Sequence, residues 1–386
     1  MKVVFVSNFF NHHQKPFCDA MYARLRGDYA FIETVSMNSE RKALGWGEEL
    51  VPMYVKRIYQ SEEESKECER LIMEADVVIS GSAPEHLLHR RIKHGKLLLR
   101  YSERPLKRGL EPLKYLPRLV KWHLKNPFWK PIYTLCASAY TAGDYARFGL
   151  FKGKAYKWGY FPETKHYTNI EDMLTAKKPA SILWVARFLD LKHPEIPVQV
   201  AQLLKKEGYA FTVNLIGIGK LQQSIQQMIA ENDLADRVHM LGAMKPEQVR
   251  KYMEQSEIFL FTSDRHEGWG AVLNESMNSG CATVASDAIG SVPFLLKNKE
   301  NGLIYNDGDF EDVYTKVKFL LDNPDTAREY GRQAYYTITD LWNAENAADR
   351  LLRFSESLLC GEKHPKLFLD GPCSRAEGTR ESWFIE

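Results

Sequence analysis

The sequence predicts an α/β protein built as two doubly wound, Rossmann-like domains facing a central cleft. Three observations carry that expectation. Short apolar runs alternate with helical segments through both halves, the pattern of a parallel sheet crossed by helices. The alternation breaks once, between about 151 and 179, and then restarts. A chain of 386 residues also exceeds what one ordinary core holds. Doubly wound halves gather ligands at the carboxyl ends of their strands, which here would line the cleft.

In the first half Val3–Val6 reads as a buried strand and Pro16–Leu25 as a helix. Phe31–Val35 is a second strand, and a helix follows near Ser61–Glu74. Val77–Ile79, Leu97–Arg100 and Tyr133–Ala137 are further strands, each ending in polar or small residues. Residues 151–179, rich in Lys, Tyr, Gly, Pro and Thr, read as a linker. The second half restarts with strand Ile182–Ala186 and helix Pro194–Lys206. Strands Phe211–Ile216, Val238–Leu241, Ile258–Phe261, Ala282–Ala285 and Leu303–Tyr305 follow. Helices start near Leu221 and at Pro246, and two more cover about Phe310–Leu321 and Asn343–Leu359. The last residues, Cys360–Glu386, read as irregular, either loose or docked through Trp383 and Phe384.

Composition excludes several classes. An apolar fraction of 44% and a charged fraction of 26% are those of a soluble globular protein. A net charge of +2 gives no field on the scale that nucleic acid demands. No apolar run approaches the roughly 18–20 residues that cross a bilayer. Met1–Ser7 reads as a first strand rather than a secretion signal. The six cysteines are scattered without metal-ligand spacing and read as small buried side chains in a reducing cytosol. The expected location is therefore cytoplasmic, and no metal is expected.

The most informative stretch runs from Ser263 to Ala285. Glu267 stands in a loop followed by Gly268, Trp269, Gly270 and Ala271, and Glu275 follows eight positions after Glu267. Val272, Leu273 and Met277 give the intervening stretch helical spacing, after the apolar run at 258–261. Strand, glycine-rich turn and helix in that order present backbone N–H groups and a positive helix end to an anion such as a diphosphate. Two carboxylates beside an anion site suit hydroxyl-rich ligands, because carboxylates accept hydrogen bonds from sugar and ribose hydroxyls. Earlier in this half, Arg187 and Lys192 lie at the carboxyl end of a strand, where two cations can neutralise a pyrophosphate. Gly217 and Gly219 follow the next strand and allow close backbone approach.

Together these motifs resemble the donor-binding domain of the family 4 glycosyltransferases, retaining enzymes of GT-B fold (glycosyl transferases group 1). That pattern is an Arg with a Lys five positions later, a Gly-x-Gly loop, a Val-x-x-Leu-Gly strand end and a Glu-x7-Glu motif. Here it is met by Arg187 and Lys192, Gly217 and Gly219, Val238 to Gly242, and Glu267 to Glu275. Trp269 stands where the family usually has Phe. The resemblance implies that Arg187 and Lys192 bind the donor diphosphate and stabilise its departure. It implies that Glu267 contacts hydroxyls of the donor sugar and Glu275 the ribose, with Gly217, Gly219, Gly268, Trp269, Gly270 and Ala271 lining the donor. It further implies a UDP-, GDP- or ADP-sugar as substrate, no cofactor and no metal, and a glycan or lipid-linked glycan acceptor in surface polysaccharide biosynthesis. The expected division is 1–165 on the acceptor side, 166–345 for the donor, and 346–386 as a helix returning to the first domain plus an irregular tail. Pocket shape, set by loops such as Asn38–Glu49, selects base and sugar, which the sequence leaves open.

The first half resembles the family in architecture only. Relatives often carry a His near the donor sugar at the end of a middle strand; the matching place here reads Ser102, Glu103, Arg104. With His12, His13 and Lys15 after the first strand, these are the candidate acceptor or sugar contacts. Residues 105–131 hold Lys107, Arg108, Lys114, Arg118, Lys121, Lys125 and Lys130 against the single acid Glu111, interleaved with Trp122, Phe128 and Trp129. They read as a surface for anionic lipid head groups, which would make the protein peripheral on the inner face of a membrane, or as a helix covering the core. The plain structural alternatives elsewhere are solvated charges at Glu267, Glu275, Arg187 and Lys192, turn glycines at Gly217 and Gly219, hydrogen-bonded loop histidines and a helix cap at Ser102. The rival functions are a sugar-nucleotide epimerase of the same architecture and a non-catalytic glycan-binding partner of a transferase.

Overall fold

A computed structural model describes residues 1–37, 51–379 and 383–384; the loop Asn38–Glu49 lies outside the described residues. The chain divides into two compact units, Met1–Glu163 with Trp342–Trp383, and Thr164–Leu341 with the last three residues.

The first unit is a parallel sheet of seven strands. They are β1 (Val3–Ser7), β2 (Tyr29–Glu33), β3 (Val55–Arg57), β4 (Val77–Ser80), β5 (Leu98–Ser102), β6 (Ile132–Cys136) and β7 (Ala155–Lys157). Their order is β3-β2-β1-β4-β5-β6-β7. Every residue of β1, β2, β4 and β6 is buried, as continuous apolar strands of a covered parallel sheet require. The direction of winding reverses between β1 and β4, and such a switch point leaves a crevice at the strand ends.

The second unit repeats the plan with β8 (Lys178–Val185), β9 (Thr212–Ile216), β10 (Val238–Gly242), β11 (Ser256–Phe261), β12 (Ala282–Ser286) and β13 (Leu303–Tyr305). The order is β10-β9-β8-β11-β12-β13, all parallel, so its switch point lies between β8 and β11. Ile182, Trp184, Val213, Leu215, Ile258, Leu260 and Val284 build its core with the helices Glu195–Lys206 and Phe310–Asp322. At the base of this sheet the buried Lys177 ammonium donates to the carbonyls of Met253, Ser256 and Ser279 at 3.0, 2.8 and 2.8 Å.

Several elements depart from the sequence reading. β7 and the helix Ile170–Thr175 lie in the segment read as a linker. β3 and the helices His86–Lys93 and Pro324–Tyr336 also form where no element was expected. The C-terminal helix Ala344–Leu359 packs on the helix Lys15–Leu25, where Arg24 bonds Glu345 and Asp349, both at 2.6 Å. The following tail covers the edge of β7: Lys157 N–H donates to Ser374 O and Cys373 N–H to Lys157 O, both at 2.8 Å. Trp383 then donates to the Tyr140 hydroxyl at 2.9 Å. Five cysteines are buried as expected, and Cys360 is exposed.

Candidate active site

Three loops meet at the carboxyl edge of the second sheet. After β8 the chain turns outward through Arg187 and the 3₁₀ turn Asp190–Lys192, and His193 takes a left-handed conformation at φ 49°. The loop after β9 lies directly against it. Phe188 N–H donates to Ile218 O at 3.0 Å, and Leu221 N–H donates to Phe188 O at 3.1 Å. That approach explains both glycines: a Cβ on Gly217 would stand 1.9 Å from Ala186 O, and one on Gly219 2.5 Å from Phe188 O. The loop after β11 closes on the other side. Asp264 N–H donates to Leu191 O at 3.0 Å, and the Thr262 hydroxyl to Lys192 O at 2.6 Å.

The backbone lacing brings chemistry together. The Lys192 ammonium is paired with the Glu267 carboxylate, each side chain 14% exposed. The pair spans the switch point, since Lys192 follows β8 and Glu267 follows β11. Arg187, in the same loop after β8 as Lys192, is exposed, with no ion pair among the described residues. His193 bonds Glu195 at 2.8 Å and lies 3.5 Å from Asp264. The Glu195 bond and then the Asp264 charge raise its pKa above the usual histidine value.

Behind Glu267, Gly268 and the Trp269 indole are buried, and the indole donates to Asn274 Oδ1 at 2.8 Å. Trp269 thus fixes the loop from below, while Gly270 and Ala271 remain partly exposed. Gly270 has φ +82°, and a Cβ there would stand 2.4 Å from the Phe261 ring. Glu275 lies in the helix Val272–Asn278 and is partly buried. Burial pushes its carboxyl above the usual carboxylate range, and the Arg250 guanidinium pulls the other way. Arg250 is itself tied to Glu275 O at 3.1 Å and Asn278 Oδ1 at 3.0 Å.

In the first unit Asn11 caps the turn after β1 by accepting from the N–H groups of His13 and Gln14 at 3.0 and 3.2 Å. The His12 and His13 rings lie 3.8 Å apart between centroids. Burial, and then the His12 charge, hold the His13 pKa down to about 3, so this ring is neutral at ordinary pH. His13 stacks at 6.3 Å on Tyr160, whose hydroxyl bonds Glu103. Lys107 holds the other Glu103 oxygen at 2.8 Å, and the Ser102 hydroxyl donates to Glu103 O at 2.8 Å. His12, His13 and Glu103 therefore belong to one cluster, joined by a tyrosine from the supposed linker. Lys15 and Arg104 turn elsewhere: Lys15 pairs with Asp19 at 2.6 Å, and the buried Arg104 pairs with Asp144 at 3.3 Å under the Tyr140 ring. No group of three or more His, Cys, Asp or Glu among the described residues is arranged to hold a metal ion.

Residues 168–337, which carry β8 to β13 and all three loops, match the family model described as Glycosyl transferases group 1. The chain carries a glycosyl transferases group 1 domain. Among curated relatives, this group 1 domain is similar to the amylovoran biosynthesis glycosyltransferase AmsK of Erwinia amylovora, 31% identical over 34% of this chain and 33% of that one. It is also similar to the poly(ribitol-phosphate) alpha-N-acetylglucosaminyltransferase of Staphylococcus aureus, 25% identical over 45% of this chain and 34% of that one. The chain thus spans about a third of the length of the curated relatives it matches. Among solved structures, that of Anabaena HepE in complex with UDP covers 92% of this chain and 100% of its own, with a TM-score of 0.70 and 13% identity. S. aureus TarM gives a TM-score of 0.64 at 11% identity, over 92% of this chain and 99% of its own. These likenesses are of fold, and the fold is the GT-B pair of Rossmann-like domains.

The site residues that the sequence reading missed are His193, Asp264, Arg250 and Tyr160. A left-handed non-glycine residue after the 3₁₀ turn carries no sequence signal, and Arg250 reaches Glu275 from a separate helix, Pro246–Gln255.

Proposed function

We propose that this chain is a glycosyltransferase. It moves a sugar from a nucleotide-diphosphate sugar to a glycan or lipid-linked glycan acceptor, with retained anomeric configuration, without a metal, in surface polysaccharide biosynthesis. The observation that carries the proposal is the placement of Arg187, Lys192 and Glu267 around the β8–β11 switch point, where doubly wound sheets bind nucleotides. The family match points the same way, as do relatives named for amylovoran and poly(ribitol-phosphate) chemistry.

In this reading Arg187 and Lys192 hold the diphosphate and offset the charge that grows as it leaves. Glu267 accepts from sugar hydroxyls, and Glu275 from the ribose. The sugar C1–O bond to the diphosphate breaks while the acceptor oxygen bonds C1 on the same face. The acceptor proton passes to the departing phosphate oxygen, so no protein base is needed. His12, His13, Ser102 and Glu103 are the proposed acceptor contacts of the first unit.

The test is incubation with UDP-, GDP- and ADP-sugars, each in excess EDTA and in Mg²⁺, followed by NMR of the first sugar released. The expected result is slow hydrolysis of one donor, equal in both media, giving the retained anomer. Failure of every donor to hydrolyse or to raise the unfolding temperature would refute the proposal.

A further inference from the structure

We propose that the helix Tyr115–Lys125 docks on an anionic lipid bilayer by inserting its outer apolar face below the head groups. The helix is apolar on two sides, and only one side is used by the fold. Inward, Tyr115 stacks on Phe148 at 5.0 Å and Trp122 packs edge-on against Phe148 and Tyr145 at 4.6 and 5.3 Å. Leu119 joins them against Leu106, Phe148 and Leu150. That face is complete, and it takes Trp122 out of any surface role, against the sequence reading.

Outward, Leu116, Val120 and Leu124 are 68, 57 and 75% exposed. Four-residue spacing sets them in one stripe along the helix. Leu113 extends the stripe before the helix at 94% exposure, and Phe128 and Trp129 after it at 75 and 68%. Leu116, Pro117, Val120, Lys121, Leu124 and Lys125 line an open groove along it. Exposed apolar surface this continuous marks a site of interaction.

Charge selects the partner. The stretch 105–131 holds seven cations and one acid in a chain whose net charge is only +2; Lys107, Lys114 and Lys125 pair with Glu103, Glu111 and Glu85, which leaves a positive excess over the stretch. Lys121 and Lys125 line the groove beside the stripe, Lys121 with no acidic partner among the described residues and Lys125 3.2 Å from Glu85, while Arg118 packs over the inward Trp122 ring. An apolar stripe rimmed by cations matches acyl chains beneath phosphate head groups. The inference stands whether or not the protein transfers sugars. Among the described residues no helix is long and apolar enough to cross a membrane, so the contact is one of lying on the surface.

Sedimentation with vesicles of phosphatidylcholine, with and without phosphatidylglycerol, tests it. The protein is expected to bind the anionic vesicles and to be only partly released by high salt. Lys121→Gln should weaken binding about fivefold. Leu116→Ser/Val120→Ser/Leu124→Ser should weaken it at least about tenfold with an unchanged unfolding temperature, since all three side chains are exposed. Trp129 should be quenched by brominated acyl chains, and Trp129→Phe should remove that quenching. Failure of the wild type to bind, or binding by the serine variant equal to wild type, would overturn the proposal. So would a wild type that ignores vesicles but forms a dimer that the serine variant breaks, which would give the stripe to a second copy.

Discussion

The Lys192 ammonium rests against the Glu267 carboxylate, tying the loop after β8 to the loop after β11 where the strand order turns. On the proposed function, this pair holds in place the cation that would meet the diphosphate. Both partners are mostly buried, so removing one strands the other's charge. Lys192→Ala and Glu267→Ala should each lower stability by about 2–4 kcal/mol, somewhat below the loss for a fully buried pair. The double variant should recover much of that loss in a denaturant titration while turnover stays about 10²–10³-fold down. Recovery of turnover along with stability would reduce the pair to a structural clamp.

Glu275 carries a trade-off between stability and binding. Its carboxyl is raised above the usual range by burial. A raised acid destabilises the folded state once charged: the penalty is absent below the usual carboxylate value and complete above the raised one. Glu275→Gln should therefore raise the unfolding temperature of the ligand-free protein near neutral pH. The same change should weaken nucleotide binding about 10–100-fold, the worth of a charge-assisted hydrogen bond. A variant that is both less stable and equally tight in calorimetry would contradict this.

His193 should give the loop a pH dependence of the opposite kind. Its pKa is raised by Glu195 and Asp264, so its contribution is full below the usual histidine value and fades as pH climbs through the raised one. The group is about a third exposed, which limits the effect to roughly 1 kcal/mol or less. Unfolding midpoints measured from pH 6 upward should decline more steeply in the wild type than in His193→Gln. Parallel curves would show that the pairs contribute nothing.

Gly219 is required by packing rather than by its own dihedral angles. A methyl group there meets the Phe188 backbone at 2.5–2.9 Å, and backbone cannot step aside. Gly219→Ala should force the β8 and β9 loops apart, cost about 1–3 kcal/mol in stability, and weaken nucleotide binding in the same thermal-shift series. An alanine variant with wild-type binding would show that the contact yields easily.

What the sequence displayed and what it hid follow from where residues lie. Ile258–Phe261 and Ala282–Ala285 were legible because central parallel strands are buried on both faces and read as unbroken apolar runs. Val55–Arg57 and Ala155–Lys157 sit at the two ends of their sheet, only partly apolar, and the latter is completed by residues 373–376 from the far end of the chain. No local pattern encodes a partner that distant. The site divided the same way. Arg187 at a strand end, Glu267 in the loop after β11 and Glu275 in the helix that follows were visible as motifs. The pairing of Lys192 with Glu267, 75 positions apart, depends on strand order. Tyr160 was hidden because its segment has a linker's composition, although its hydroxyl bonds Glu103.

Calorimetric titration of UDP, GDP and ADP into the wild type, Arg187→Ala and Glu275→Ala tests the central claim most directly. One diphosphate should bind the wild type at a single site and bind each variant at least about tenfold more weakly, as expected for a lost contact to a charged group. Binding of that nucleotide at wild-type strength by both variants would place it away from the β8–β11 switch point and contradict the account.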